Sequence, residues 1–254
     1  MDKKYKTLEG VIANMRSSNV DFIQQYQNAL SQDMCDYFIN KFENLDKKGL
    51  TNEGRVQRLE DGKVKNFINS EAKSSKDIYL SSVNEEHKFN MSNNKKDKEM
   101  FDGLASIINR HIYLYSLHVG IERPEYVGVN KSNFHTYFKS KNDCPKLHSN
   151  ISVDSICLRK YEKNKGGYYY PHYDSKSNFY RIMAIIIYLN DIQYGGETEF
   201  PILNRMIIPK KGSLVIFPSV FTHWHYGRKS NIDKYVLVSH VSKYPSKTEE
   251  KEKE

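Results

Sequence analysis

The feature that most restricts the architecture of this chain is a set of metal-ligating residue types divided between distant segments of its second half. In the run Tyr168-Tyr169-Tyr170-Pro171-His172-Tyr173-Asp174, His172 and Asp174 stand two apart, so on an extended strand both project from one face. A third ligand has to come from elsewhere, and the pair His223 and His225 offers an imidazole about fifty residues further on. Two histidines and one carboxylate make a facial triad that suits Fe(II) and leaves adjacent positions open for a chelating cosubstrate and dioxygen. Lys234 then supplies a cation where a dicarboxylate needs one. A lone His-x-Asp arises by chance in roughly every second chain of this composition. The ordered series of histidine, carboxylate, distal histidine and lysine is the more specific signal. The plain alternative makes His172 and Asp174 a surface pair and Lys234 a solvated lysine.

From Ile151 onward the pattern is that of β structure. Ile156–Tyr161, Arg181–Leu189, Leu214–Phe217 and Tyr235–Val241 read as strands, with turns at Gly166-Gly167 and Asn190–Gly196. Antiparallel strands broken by Gly and Pro suit a double-sheet jelly roll. Upstream, Asp33–Leu45 carries Met34, Cys35, Phe38, Ile39 and Phe42 at helical spacing, with Ser31 as its N-cap. Met100, Phe101, Leu104, Ile107, Ile108, Ile112 and Tyr115 mark a second helix. Both are expected to brace the sheet, giving an α+β fold with a jelly-roll core. Residues 46–93 mix strand and loop character. Residues 129–150 read as a loop, with solvent-facing His135 and His148, that serves as a lid over the site. We expect an N-terminal extension over 1–20, one catalytic domain over 21–245 with its core at about 151–241, and a disordered charged tail over 246–254.

The chain has 254 residues, enough for one substantial core. Its longest apolar run, Ile182–Leu189, is too short to span a bilayer, and Met1–Tyr5 lacks a signal-peptide core, so a cytoplasmic protein without a membrane partner is expected. Cys35, Cys144 and Cys157 are odd in number and widely spaced, which argues against a disulfide framework or cysteine-based zinc site. The net charge of +8 invites a nucleic-acid partner. The basic residues are scattered, however, without the interleaved aromatics of a nucleic-acid module, so a solvated basic face is preferred and an acidic peptide also fits.

Longer segments carry a family resemblance. Tyr169–Asp174, then Arg181 leading into Ile182–Asn190, then Gly195-Gly196-Glu197-Thr198-Glu199-Phe200-Pro201, and finally Pro209–Phe217 resemble, in order, the signatures of prolyl 4-hydroxylase-like 2-oxoglutarate/Fe(II) dioxygenases of viral or bacterial type. The likeness covers about residues 155–241 and implies a double-stranded β-helix with iron inside its open end. It implies His172, Asp174 and a distal histidine as iron ligands, with Lys234 on the remote carboxylate of 2-oxoglutarate. It also implies Tyr161 and Thr198 as cosubstrate contacts and Arg181 and Tyr169 as substrate contacts. His225-Tyr226-Gly227 resembles the family's distal His-x-Gly, which favours His225 over His223; His225 precedes Lys234 by nine residues and His223 by eleven, around the family's ten. Fe(II) and 2-oxoglutarate are the implied cofactors, and L-ascorbate binding is left open.

The implied reaction is hydroxylation of a C–H bond, with peptidyl proline as the leading substrate. A nucleic-acid or small-molecule 2-oxoglutarate oxygenase is the main alternative. It is weakened for nucleic acids because demethylases of that kind clamp the cosubstrate with arginines where this chain has Lys234. A metal-binding jelly roll without oxygenase activity, or a zinc hydrolase on the same ligands, is the rival from a different class. The tyrosines at 168–170 and Trp224 suit a peptide-binding mouth, although half-buried strand packing explains them equally.

Overall fold

The computed structural model describes residues 22–61, 63–83, 85–118, 151–165, 167–176 and 180–244. The expected extension at 1–20, the loop at 129–150 with His135, His148 and Cys144, and the tail at 246–254 lie outside them. In chain order the elements begin with β1 (Gln24–Tyr26), α1 (Gln32–Asp46), β2 (Asn52–Glu53), β3 (Arg55–Glu60), β4 (Lys63–Ile68), β5 (Lys73–Ser74), β6 (Lys76–Ser81), β7 (Lys88–Asn90) and α2 (Lys95–His118). They continue with β8 (Ile151–Val153), β9 (Ile156–Tyr161), β10 (Gly167–His172), β11 (Arg181–Tyr188), β12 (Thr198–Phe200), β13 (Arg205–Ile207), β14 (Leu214–Pro218), β15 (His225–Gly227) and β16 (Lys234–Lys243).

The strands make two sheets and a separate β3–β4 hairpin. The larger sheet runs β1-β14-β11-β16-β9-β6-β2, with β8 added beside β16 and β7 beside β6; the smaller runs β13-β12-β15-β10-β5. Every pairing is antiparallel except the parallel β6–β7 contact. This is the expected α+β fold with a double-stranded β-helix core.

Alternation along the central strands decides what each face does. One face buries Leu158, Ile185, Ile187, Leu214, Ile216 and Leu237 in a cluster with Phe38, Phe42 and Leu45 of α1 and Leu104, Ile108 and Ile112 of α2. The opposite face gives Tyr161, Ala184, Tyr188, Val215, Phe217 and Val236 to a second cluster, joined by Phe200 and Ile207 of the smaller sheet. Both faces are therefore covered, which is why β11 and β14 read as nearly unbroken apolar runs. Helix α1 starts where Ser31 accepts a hydrogen bond from the Met34 amide at 3.2 Å, as its cap position suggests. It is tied to the sheet by Glu43, which accepts from Lys160 at 2.8 Å and from the Tyr235 hydroxyl at 2.6 Å. Where the chain turns into β14, Gly212 adopts φ +76°, and a Cβ there would sit 2.5 Å from the Leu30 carbonyl oxygen. Only glycine accommodates that turn against the segment leading into α1.

Candidate metal and cosubstrate centre

The inner face of the barrel opens into a cavity of about 710 Å³. His172, at the end of β10, pairs directly across the smaller sheet with His225 at the start of β15, and their rings lie 4.4 Å apart. Asp174 is not on the strand. It opens a 3-10 turn, Asp174–Lys176, so the shared-face argument for an extended His-x-Asp gives way to a turn that swings the carboxylate between the two imidazoles. Asp174 Oδ1 is 3.8 Å from His172 Nε2, and Oδ2 is 3.7 Å from His225 Nε2. One donor atom from each of the three residues lies within 4.8 Å of the others.

The donor set fits a divalent cation. His172 Nδ1 faces the Tyr170 carbonyl at 3.1 Å and His225 Nδ1 faces the His223 carbonyl at 3.0 Å. A carbonyl only accepts, so both rings carry their proton on Nδ1 and present the Nε2 lone pair toward Asp174. Asp174 Oδ2 is buried without a hydrogen-bond partner among the described residues, an expensive state that a shared cation removes. Burial, and then His225, push the His172 imidazole down to about pKa 3, so it is neutral as a ligand must be. Against burial, which opposes ionisation, His240 and His225 hold the Asp174 carboxyl far below its ordinary range.

His223 is buried but points elsewhere, its Nδ1 meeting the Thr222 hydroxyl at 2.8 Å. Of the two distal histidines, His225 is the one brought to His172 and Asp174. Sequence reasoning missed His240, whose Nε2 is 3.3 Å from Asp174 Oδ1. It shares the inward-facing register of β16 with Lys234, Val236 and Val238, and that register was the signal available.

Lys234 is 3 % exposed and donates to the Gly196 carbonyl at 2.8 Å. Its ammonium lies 4.7 Å from the centroid of the Tyr161 ring, and Tyr161 is its partner across β9 and β16. Burial depresses its pKa to about 8. Thr198, buried on β12, shares a 2.7 Å hydrogen bond with Tyr188, and both line the cavity with Tyr161 and Lys234. Arg181 also lines it and is held by Asp154 at 3.0 Å. Tyr169 lies in β10; its side chain is outside the described atoms. Tyr168 stacks on His172 at 3.7 Å, and Trp224 packs edge-on against Tyr173 at 5.2 Å.

Residues 156–241 match the model of the 2OG-Fe(II) oxygenase superfamily, and over this segment the chain is similar to that superfamily. A search of the curated proteins finds no match. Among solved structures, the chain is similar to the viral collagen prolyl hydroxylase of Paramecium Bursaria Chlorella virus-1 in its 2OG complex, at 17% identity and TM-score 0.53, over 90% of this chain and 99% of that one. It is also similar to a Trichoplax adhaerens prolyl hydroxylase in complex with a hypoxia inducible factor peptide fragment, at 16% identity and TM-score 0.60, over 99% and 97% of the two chains. A Pseudomonas putida prolyl-4-hydroxylase shares 12% identity at TM-score 0.55, over 94% and 100%. At these identities the likeness concerns the fold.

Proposed function

We propose that residues 21–245 form one catalytic unit that hydroxylates a C–H bond of peptidyl proline, using Fe(II) and 2-oxoglutarate. The observation that carries this reading is the convergence of His172, Asp174 and His225, with both Nε2 atoms free and one carboxylate oxygen orphaned, in a cavity whose wall holds the buried cation Lys234. In this reading those three residues hold the metal. Lys234 pairs with the remote carboxylate of 2-oxoglutarate, and the Thr198 and Tyr161 hydroxyls orient it. Bound Fe(II) supplies the redox chemistry that couples decarboxylation of 2-oxoglutarate to hydroxylation of the substrate.

The residues' own work is placement and exclusion of water, and no side-chain base is assigned. Phe217 and Val236 wall the cavity with apolar surface, and the Nδ1 hydrogen bonds fix the ring planes of His172 and His225 before metal arrives. Arg181, anchored by Asp154, and Tyr169 are assigned to the substrate. A cytoplasmic setting belongs to the same proposal; separately, no described helix is long and apolar enough to cross a membrane. L-ascorbate as an accessory ligand also belongs to it. Two measurements test the reading. Anaerobic addition of Fe(II) and 2-oxoglutarate should produce a metal-to-ligand charge-transfer band, and incubation with a proline-containing peptide library should release succinate and add one oxygen to a peptide. A protein that binds Fe(II) without a band would be a plain metal-binding jelly roll, and a band with oxygen added only to nucleic acid would move the substrate assignment.

A further inference from the structure

Two buried cations line the cavity outside the set assigned above to metal and cosubstrate. Asp77 on β6 stands directly across from Arg159 on β9. Arg159 donates through Nε and Nη2 to the two Asp77 oxygens at 2.7 and 2.8 Å, and Lys73 donates to the same carboxylate at 3.0 Å. Ser75 adds a hydroxyl bond to it at 2.9 Å, and Lys73 makes a second bond to the Arg55 carbonyl at 3.2 Å. Lys73 and Asp77 are 2% and 1% exposed, and Arg159 is 9% exposed.

Two cations thus share one carboxylate away from bulk water, and among the described residues no second acid pairs with either. The adjacent Cys157 is a neutral thiol, its pKa pushed up to about 12 by burial. Burial, and next to it Arg159, lower the pKa of Lys73, the response of an ammonium beside surplus positive charge. Among the described residues, Arg159 Nη1 meets only the Tyr161 hydroxyl, at 3.5 Å, the outer limit of a hydrogen bond. Both side chains line the cavity that contains His172 and Lys234. Lys73 lies 5.9 Å from the centroid of the Tyr168 ring, which itself stacks on His172. One aromatic ring therefore lies between Lys73 and His172.

A buried charge is costly unless paired, so surplus charge that faces a cavity calls for an anion from outside the chain. We propose that Lys73 and Arg159 form an anion subsite of the substrate cavity, and that the substrate presents a carboxylate to it. The inference rests on the hydroxylase reading, in which Lys234 is taken by the cosubstrate and the second cationic centre falls to the substrate. An arginine fork beside a lysine point charge suits a carboxylate, and the closeness to His172 places that carboxylate on or next to the residue that reacts. An acidic side chain beside the proline and the free carboxylate of an amino acid share this chemistry.

The test uses acetyl-Gly-Xaa-Pro-Xaa-Gly-amide peptides with Xaa as Glu, Gln or Lys, together with free L-proline. Equilibrium binding to the Mn(II)- and 2-oxoglutarate-loaded protein is measured without turnover, and hydroxylation is followed with Fe(II). Substrate-free succinate release by the unmodified protein reports separately on the oxygenase reading; the binding arm decides the subsite whatever that result. The Glu peptide should bind the unmodified protein about 10-fold or more tighter than the Gln peptide, with the Lys peptide weakest. Tighter binding of free L-proline than of any peptide would make an amino acid the source of the carboxylate. Lys73→Met removes the surplus charge yet leaves the Arg159–Asp77 pair neutral and intact, so it should erase the preference without lowering Tm. Lys73→Arg should keep the preference. Equal binding of Glu and Gln peptides, together with no gain for free proline, overturns the inference even if Lys73→Met does not fold. So does a preference that survives in folded Lys73→Met, which would make the triad purely structural.

Discussion

At the scale of single residues, the centre depends on which ring atoms are free. His225 presents Nε2 to Asp174, whereas His223 contributes its backbone carbonyl to orient His225 and turns its own ring to Thr222. His225→Ala and Asp174→Ala should each abolish Fe(II) binding and turnover. His223→Ala keeps the backbone carbonyl that orients His225, so it should cost at most about 10-fold, the low end for a change beside the ligands, and the reverse ranking in a metal-binding titration would transfer the ligand role. Lys234 gives a pH signature. Burial holds its pKa at about 8 in the free protein, and a dicarboxylate pairs with the ammonium rather than the amine. Affinity for 2-oxoglutarate should therefore be full below about pH 8 and fall as pH rises through it. Lys234→Ala should raise the 2-oxoglutarate requirement by about 10- to 150-fold, the loss of roughly 1.5–3 kcal/mol from one charged hydrogen bond. Lys234→Arg should flatten the pH dependence, because a guanidinium keeps its proton. Anaerobic titrations at pH 7, 8 and 9 check this, and an unchanged affinity in Lys234→Ala would sink the pairing. The order of His172, Asp174, the pair His223 and His225, and Lys234 made these residues candidates in the sequence, and the likeness of His225-Tyr226-Gly227 to a His-x-Gly, not the spacing, favoured His225. His240, Lys73 and Arg159 were not, because their inward direction follows from strand register and from pairings with residues far away in the chain.

At the scale of elements, long patterns were legible and short ones were not. The apolar spacing of α1 and α2 identified both helices, whose observed bounds, Gln32–Asp46 and Lys95–His118, extend the expected ones by mostly polar residues at the ends. β9, β11, β14 and β16 were visible as apolar runs, within one or two residues of the expected limits. β12, β13 and β15 have three residues each, too few for alternation to register, and β10 begins at Gly167, where a turn was expected. The helices carry much of the stability because they cover the outer face of the large sheet. Phe38 of α1 is 0 % exposed in that cluster, so Phe38→Ala should cost about 3–5 kcal/mol in a denaturant titration. Phe221, 68 % exposed on a turn, should change stability by less than about 0.5 kcal/mol when replaced by Ala. Comparable losses from both would mean that α1 does not pack as described.

At the scale of the molecule, the centre joins elements that a folded barrel alone brings together: β10 and the turn after it, β15 and β16, with β5, β6 and β9 adding the second cationic wall. The unfolded chain holds no such constellation, so metal and cosubstrate should stabilise the fold through mass action. A ligand at about 100 times its dissociation constant contributes roughly 2.7 kcal/mol. For a chain of this size each kcal/mol is worth about 2–4 °C, so saturating Mn(II) should raise Tm by roughly 5–11 °C. 2-Oxoglutarate should add a further increment only when metal is present, because its keto acid end needs the metal while Lys234 secures the other end. Asp174→Ala should lose both increments. Lys234→Ala should keep the metal increment and lose most of the second, since lysine lies outside the donor set. The pattern across the three proteins and two ligands separates the centre from a general response to divalent cations. A chain of net charge +8 gains little from cations at scattered acidic sites, and any such gain would be as large in Asp174→Ala as in the unmodified protein. A Tm increment from Mn(II) that Asp174→Ala retains in full would place the metal elsewhere in the molecule.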